Sequence, residues 1–261
     1  MFEFHQDRHT YFEIQVKNSR ESVIPFVETY LSLPPGAKIM EVGCGEGGVL
    51  KAFIEKGYTA VGIEIEERRL LLGQEWMDEE VKAGKMRFIN DDIFKVLPSQ
   101  PTELFHLIIL KDVIEHIGEK EKLIAQLKKN LHPDGAIFFG FPPWQMPFGG
   151  HQQMCNNKYL SRTPWLHLLP RFLYKKILKR YKEPVVELLD IYDCRLSIER
   201  FERIAKSGGF HILGKKHFLI APIYKYKFGL KERKQLPILR NIPFFRNFFT
   251  TAVYYLISPN K

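Results

Sequence analysis

Through the first 142 residues, short apolar runs alternate with stretches in which apolar positions recur every three or four residues. This is the pattern of βαβ units feeding a parallel sheet. KIMEVG (38–43) reads as a first strand and GGVLKAFIEKG (47–57) as the helix after it. TAVGIEI (59–65) is a second strand, ERRLLLGQEWMDEEVKAG (67–84) a second helix and MRFIND (86–91) a third strand. LFHLIIL (104–110) is so continuously apolar that it predicts a strand buried on both faces. KEKLIAQLKKNL (120–131) follows as an amphipathic helix, HPDG as its stop, and AIFFGFP (136–142) as the fifth strand. Upstream, SRESVIPFVETYLSL (19–33) predicts a helix across the sheet.

The regularity then breaks. Residues 143–197 hold Trp144, Pro147, the Gly149-Gly150 pair, Pro164, Pro170 and the basic run RFLYKKILKRYKE, which together read as an insertion or lid. A helix (199–209), a long β-like run (210–224) and a strand near 250–258 return the chain to the sheet. The organisation expected is one domain over 1–261: an N-terminal helical cover (1–36), a core (37–142), a lid (143–197), and a C-terminal helix with the last strands (198–261).

Composition adds little, with 45% hydrophobic and 26% charged residues as in ordinary globular proteins. The polar start MFEFHQDRHT has no apolar leader, and no apolar run approaches the roughly 20 residues of a bilayer span. A cytoplasmic protein is expected. Cys44, Cys155 and Cys194 are far apart and lack C-x-x-C spacing, so neither a disulfide framework nor a metal site is expected. Charge changes the picture more. Residues 1–150 carry 17 Lys and Arg against 23 Asp and Glu, whereas 151–261 carry 22 against 7, within a net charge of +9. The C-terminal part therefore suits an anionic substrate, an acidic partner, a membrane surface or nucleic acid, or is simply a solvated basic face.

The candidate chemistry lies in EVGCGEGG (41–48). A glycine-rich turn between a strand and a helix lets backbone N–H groups approach a ligand, but G-x-G-x-x-G alone does not choose between a pyrophosphate and a carboxylate. Glu41 and Glu46 in the same turn would repel a pyrophosphate and suit a cofactor with a cationic part. Glu64 ends the second strand 21 positions after Gly43, where a carboxylate accepts ribose hydroxyls. Asp91 and Asp92 follow the third strand and read either as an adenine contact or as a helix cap, with Ile65 and Ile93 as apolar walls for the ring.

The ordered set EVGCGEGG, VGIEI, NDDIF, LIILKDVIEHI and LHPDGAIFF, across roughly residues 20–142, resembles the class I S-adenosylmethionine-dependent methyltransferases of the ubiquinone-biosynthesis and type 11 subgroups. The resemblance implies an α/β Rossmann-like fold: a seven-stranded, mostly parallel sheet of order 3-2-1-4-5-7-6, its last strand antiparallel, with helices on both faces. It implies methyl transfer from S-adenosylmethionine, with S-adenosylhomocysteine as product. Glu41, Gly43, Cys44 and Gly45 would hold the methionine end, Glu64 and Ile65 the ribose side, Asp92 and Ile93 the adenine, while Lys111 and Asp112 would line the transfer side. Glu64 stands where the family more usually has Asp.

Methyl transfer needs mainly positioning and dehydration, but a hydroxyl acceptor also needs a base. His116 in DVIEHIGE and His151 in PFGGHQQM fall where the mouth of such a site is expected. Each has a plainer reading, His116 as a helix-capping residue and His151 as an exposed loop histidine. Gln152, Gln153 and Trp144 beside His151 suggest a sugar or polar-ring contact, and His167 reads as packing. The acceptor expected is a small molecule (a polar ring, sugar or quinone-like compound), anionic or lipid-linked. Nucleic acid is disfavoured because no RNA-binding module or N-P-P-[YF] motif is present, although basic and aromatic residues interleave in the C-terminal part. LPILRNIPFFRNFFTTAVYYLI (236–257) reads as a membrane-surface contact or as a helical turn plus final strand. The rivals are a non-catalytic scaffold, a methyltransferase acting on RNA, and an NAD-dependent oxidoreductase. The last is disfavoured by Glu41, Glu46 and the lack of a Y-x-x-x-K pair.

Overall fold

The computed structural model describes residues 7–97 and 103–260; residues 1–6 of the expected cover lie outside it. Strands β1 (Lys38–Val42), β2 (Thr59–Glu64), β3 (Met86–Asn90), β4 (Phe105–Lys111) and β5 (Leu131–Phe141) pair in parallel. β6 (Phe210–Ile220) and β8 (Ala252–Pro259) complete the main sheet, and β7 (Arg233–Lys234) is a two-residue edge strand. The order is β3-β2-β1-β4-β5-β8-β6-β7, with β8 antiparallel to both neighbours. This is the expected seven-stranded order plus one short edge strand, which the sequence reading missed because two residues carry no period.

The period-2 alternation of the central strands feeds two cores, one on each face of the sheet. Ile39, Leu107, Ile109, Phe138 and Leu256 pack on one side. Met40, Val42, Ile108, Leu110, Phe139 and Tyr255 pack on the other. β4 is buried at six of its seven positions, as its apolar run predicts. One boundary differs from expectation: HPDG does not precede β5 but lies within it, and the register with β4 slips between Phe105 and Leu107 to absorb the extra residues.

Helices cover both faces. α1 (Arg8–Asn18), α2 (Ile24–Glu28) and α3 (Gly48–Ile54) lie with one core; α4 (Glu67–Trp76) and α5 (Asp78–Lys82) divide the expected second helix at Met77. α6 (Ile93–Val96), α7 (Lys120–Lys129) and, beyond the lid, α10 (Ile198–Ser207) serve the other core. Within the N-terminal cover the first helix begins earlier than the predicted 19–33, where the Asp7 carboxylate accepts the Thr10 N–H at 3.1 Å. Between α1 and α2, Ser19–Val23 forms a π-turn in which the Ile24 N–H reaches Ser19 O. Pro25 has no N–H to give, and the widened turn takes up the shift in the hydrogen-bond ladder.

The stretch expected as a lid contains α8 (Arg171–Arg180) and α9 (Val185–Cys194) and has a core of its own, built from Trp144, Cys155, Leu166, Tyr174, Leu178, Leu188, Leu189 and Tyr192. His167 sits fully buried within it as a polar hub. Its Nε2–H donates to Trp144 O at 2.7 Å and its Nδ1 accepts from Gln152 at 3.0 Å. After β6, α11 (Tyr224–Phe228), α12 (Pro237–Arg240) and α13 (Phe245–Phe248) lead to β8. Among the described residues no helix is long and apolar enough to cross a membrane.

Candidate active site

The glycine loop follows β1 with Gly43 at φ +66° and Gly45 at φ +55°. A Cβ at Gly43 would run into Val113, and one at Gly45 would overlap the Arg69 guanidinium, so side chains are excluded by space as well as by conformation. Contrary to expectation, the loop's N–H groups are largely engaged within the protein. Those of Gly43 and Cys44 donate to Ile63 O, and Gly47 N–H donates to Cys44 O. Gly45 N–H donates to Glu64 Oε2 at 2.8 Å. Glu64 Oε1 also accepts the Glu66 N–H at 2.9 Å, so its carboxylate ties the loop after β1 to the turn after β2.

Glu46 is buried and held by two arginines: Arg69 in two contacts of 3.2 and 3.0 Å, and Arg8 at 3.3 Å. Its charge is therefore matched, and its expected repulsion of a pyrophosphate carries less weight than the sequence implied. Glu41 is different. It is buried, its Oε2 has no hydrogen-bond partner, and burial pushes its carboxyl well above the usual range. It faces a cavity of about 130 Å³ that is also lined by Tyr11, Gln15, Gly43, Cys44, Arg69 and Lys111.

Asp112 closes that cavity and opens the next. It holds φ +57°, an uncommon conformation for a residue with a side chain, and its N–H is tied to Gly140 O at 2.7 Å. Burial raises its carboxyl, but the Lys111 ammonium, 2.6 Å away, outweighs this and the net shift is downward. Together with Tyr11, Asp112 also lines a second cavity of about 440 Å³. There Glu115, His116 and His151 meet an apolar wall that includes Met146, Phe148 and Tyr224, with Lys227 as a cation.

The His116 and His151 rings lie 4.8 Å apart, centroid to centroid. Burial depresses both imidazoles, His151 to about 4, so both are neutral near pH 7 with a lone pair available. Glu115 is 6% exposed, and neither of its oxygens has a hydrogen-bond partner. Its carboxyl is pushed well upward by burial first and by Asp112 second. Although no metal site was expected, one ligand atom from each of Glu115, His116 and His151 lies within 4.8 Å of the others, close enough to share an ion.

The predicted residues thus divide. Glu41, Gly43, Cys44, Lys111 and Asp112 line the smaller cavity, with Gly45 and Glu64 bonded beside it; His116 and His151 line the larger. On the adenine side, Ile65 is 71% exposed, Asp92 caps α6 through the Phe94 N–H at 2.8 Å, and Ile93 is packed in the core. Of the residues beside His151, Gln153 lines the cavity, whereas Gln152 and Trp144 face the lid core. Sequence reasoning missed Tyr11, Arg69, Lys227 and Glu115. Only Glu115 had a signal, its place beside His116 in DVIEHI; the others come from elements whose inward faces the period does not mark.

The residues fit an S-adenosylmethionine molecule at its amino-acid end, where the unpartnered Glu41 oxygen suits an ammonium and Arg69 and Lys111 offer cations to a carboxylate. A family model described as a methyltransferase domain matches residues 15–181. The ubiquinone biosynthesis O-methyltransferase of Methylococcus capsulatus is 29% identical over 114 residues, 44% of this chain and 46% of that protein. Its counterpart in Idiomarina loihiensis is 25% identical over the same shares. The matched stretch is thus under half the length of these relatives. Two solved structures share the fold. Magnesium protoporphyrin IX methyltransferase from Synechocystis, with bound S-adenosylhomocysteine, has TM-score 0.54 at 15% identity, covering 100% of this chain and 89% of that one. A S-adenosylmethionine-dependent methyltransferase from Clostridium acetobutylicum has TM-score 0.56 at 13% identity, covering 94% and 92%. With the model matched over more than half of its residues and the sheet order in place, the chain belongs to the methyltransferase-domain family and has the fold of its S-adenosylmethionine-dependent members.

Proposed function

We propose that this protein transfers a methyl group from S-adenosylmethionine to a hydroxyl of a small, partly apolar acceptor. The observation that carries the reading is the meeting of two cavities at Asp112 and Tyr11, with a matched amino-acid subsite on one side and two neutral imidazoles on the other. When bound, S-adenosylmethionine supplies an electrophilic methyl on a sulfonium and leaves as S-adenosylhomocysteine.

The chain's own residues do the rest. Glu41, Arg69 and Lys111 orient the amino-acid end, and Glu64 takes the ribose hydroxyls while holding the glycine loop. His151 takes the acceptor's proton as the oxygen bonds to the methyl carbon, and the Asp112 carboxylate favours the resulting imidazolium. The apolar wall of Met146, Phe148 and Tyr224 keeps water from the acceptor oxygen. The printed name of the relatives, ubiquinone biosynthesis O-methyltransferase, supports oxygen as the acceptor atom and a quinone-like compound as the acceptor. The scaffold reading is weaker, because a protein that bound no cofactor would leave the buried, unpartnered Glu41 oxygen without a purpose.

Isothermal titration with S-adenosylhomocysteine, with NADH as control, tests the cofactor. Labelled methyl transfer to a panel of phenols, matched amines and sugars then tests the acceptor atom. Binding of NADH in place of the nucleoside would end the methyltransferase reading. Methylation confined to the amines would end the hydroxyl one.

A further inference from the structure

The segment between β7 and β8 has an unusual division of labour. Leu236, Ile238, Ile242, Phe244, Phe245 and Phe249 are exposed, Ile238 to 78% and Phe245 to 57%. Apolar side chains scattered singly on a surface are ordinary, but six within fourteen residues form a patch. This is not a loose loop, because Arg246, Asn247 and Thr250 are buried and lock it down. Arg246 is buried between Glu199 at 2.7 Å and Glu202 at 2.9 Å. Asn247 is fully buried, accepting the Ile198 N–H at 2.9 Å and donating to Glu199 at 2.8 Å. Thr250 is buried and donates to Arg246 O at 2.6 Å.

The backbone is strained at Phe244. Phe244 has φ +67°, costly for a bulky residue, and its ring sits 5.7 Å from Phe245 and 5.4 Å from Phe248. Burying the phenylalanines and exposing the arginine would be the cheaper arrangement in water alone. The exposed charge around the patch is mostly cationic, Glu232 being paired with Lys216 at 3.2 Å and Glu199 and Glu202 with Arg246. Lys231, Arg233, Lys234 and Arg240 are exposed, and residues 233–261 contain no Asp or Glu.

We propose that this segment docks the protein on an anionic lipid bilayer, with the Phe244–Phe245 tip entering the headgroup boundary and the four exposed cations meeting lipid phosphates. The patch is spliced between two stretches that line the larger cavity, Ala221 to Phe228 before it and Thr251–Ala252 after it. Docking there brings the acceptor cavity to the membrane surface, where an amphiphilic acceptor would be found. The docking itself stands apart from the identity of the reaction.

The test is co-sedimentation of the full chain with vesicles of phosphatidylcholine alone and with about one-third phosphatidylglycerol, at low and high salt. Binding is expected to the anionic vesicles only, and to weaken with salt. A Phe244→Ser/Phe245→Ser variant should lose at least tenfold in partitioning. Each Lys→Gln or Arg→Gln change among the four cations should lose roughly fivefold. S-adenosylhomocysteine titration and the melting temperature report separately that the variants are folded. A folded protein that ignores anionic vesicles, or binds neutral ones equally, overturns the proposal. So does a change of oligomeric mass in the double variant without any vesicle binding, which would make the patch a protein interface.

Discussion

Glu64 holds two backbone N–H groups and is proposed to hold the ribose as well, and one substitution can separate these roles. Its carboxylate accepts the Gly45 and Glu66 N–H groups at 2.8 and 2.9 Å, and it is assigned the ribose hydroxyls of the cofactor. Glu64→Ala leaves both backbone donors without their acceptor in a buried place. At about 1.5 to 3 kcal/mol for a hydrogen bond to a charged group, partly recovered by water entering the gap, the fold should lose roughly 2–4 kcal/mol. Two ribose hydroxyls bonded to the same carboxylate contribute about 3 kcal/mol to binding. At 1.4 kcal/mol per decade, their loss weakens S-adenosylhomocysteine by roughly 100-fold. Denaturant titration reads the first quantity and calorimetry the second. Glu64→Gln keeps one acceptor oxygen and should recover much of the stability while binding the nucleoside poorly. A Glu64→Ala protein that is less stable yet binds the nucleoside as tightly as the parent would refute the cofactor role and leave Glu64 as a tie between two loops.

Two further outcomes follow from the histidines. His151→Asn should lower kcat for a hydroxyl acceptor by roughly 10²- to 10⁴-fold, the usual range for a general base, with nucleoside affinity unchanged. In the parent enzyme the acid limb of kcat/KM should sit near pH 4 to 5, since His151 is held at about 4 and must be neutral to act; a limb near 6.5 would speak against it. His167 and His217 are buried and each depressed to about 4, mainly by burial, from an ordinary value near 6.5. Between those values the unfolded chain binds more protons, so stability falls as pH drops from about 6.5 toward 4, by up to about 3 kcal/mol for each histidine. Urea midpoints measured at pH 7 and pH 4.5 check this, and His167→Gln should flatten part of the slope.

Much of the cofactor half was legible because its strands and glycine loop are set by local rules. The apolar run of β4, the left-handed glycines and Glu64 one strand later all depend on near neighbours, and they lie where the sequence places them. The larger cavity was less legible, because residues far apart in sequence build it. Tyr11 comes from a cover whose start is marked only by the Asp7–Thr10 cap, and Lys227 from a five-residue helix. Glu46 shows the limit of reading charge without partners: its carboxylate looked repulsive until Arg69 and Arg8 were found against it. Asp92 illustrates an ambiguity that spacing alone leaves open: of its two readings, adenine contact or helix cap, the structure shows the cap on α6.

The separate core of residues 143–197 bears on how that stretch would detach from the sheet. Its apolar cluster shares no member with either cluster flanking the sheet, and polar ties join it to the body, among them the buried Lys120 ammonium on Cys194 O. A unit that keeps its own packing while exchanging a few hydrogen bonds can detach cooperatively at far less cost than global unfolding. In hydrogen exchange, amides of α8 and α9 would then share one protection level well below that of β4. Such a module can also change shape over evolutionary time without disturbing Glu41, Glu64 or the glycine turn, so acceptor preference can drift while the methyl donor stays the same.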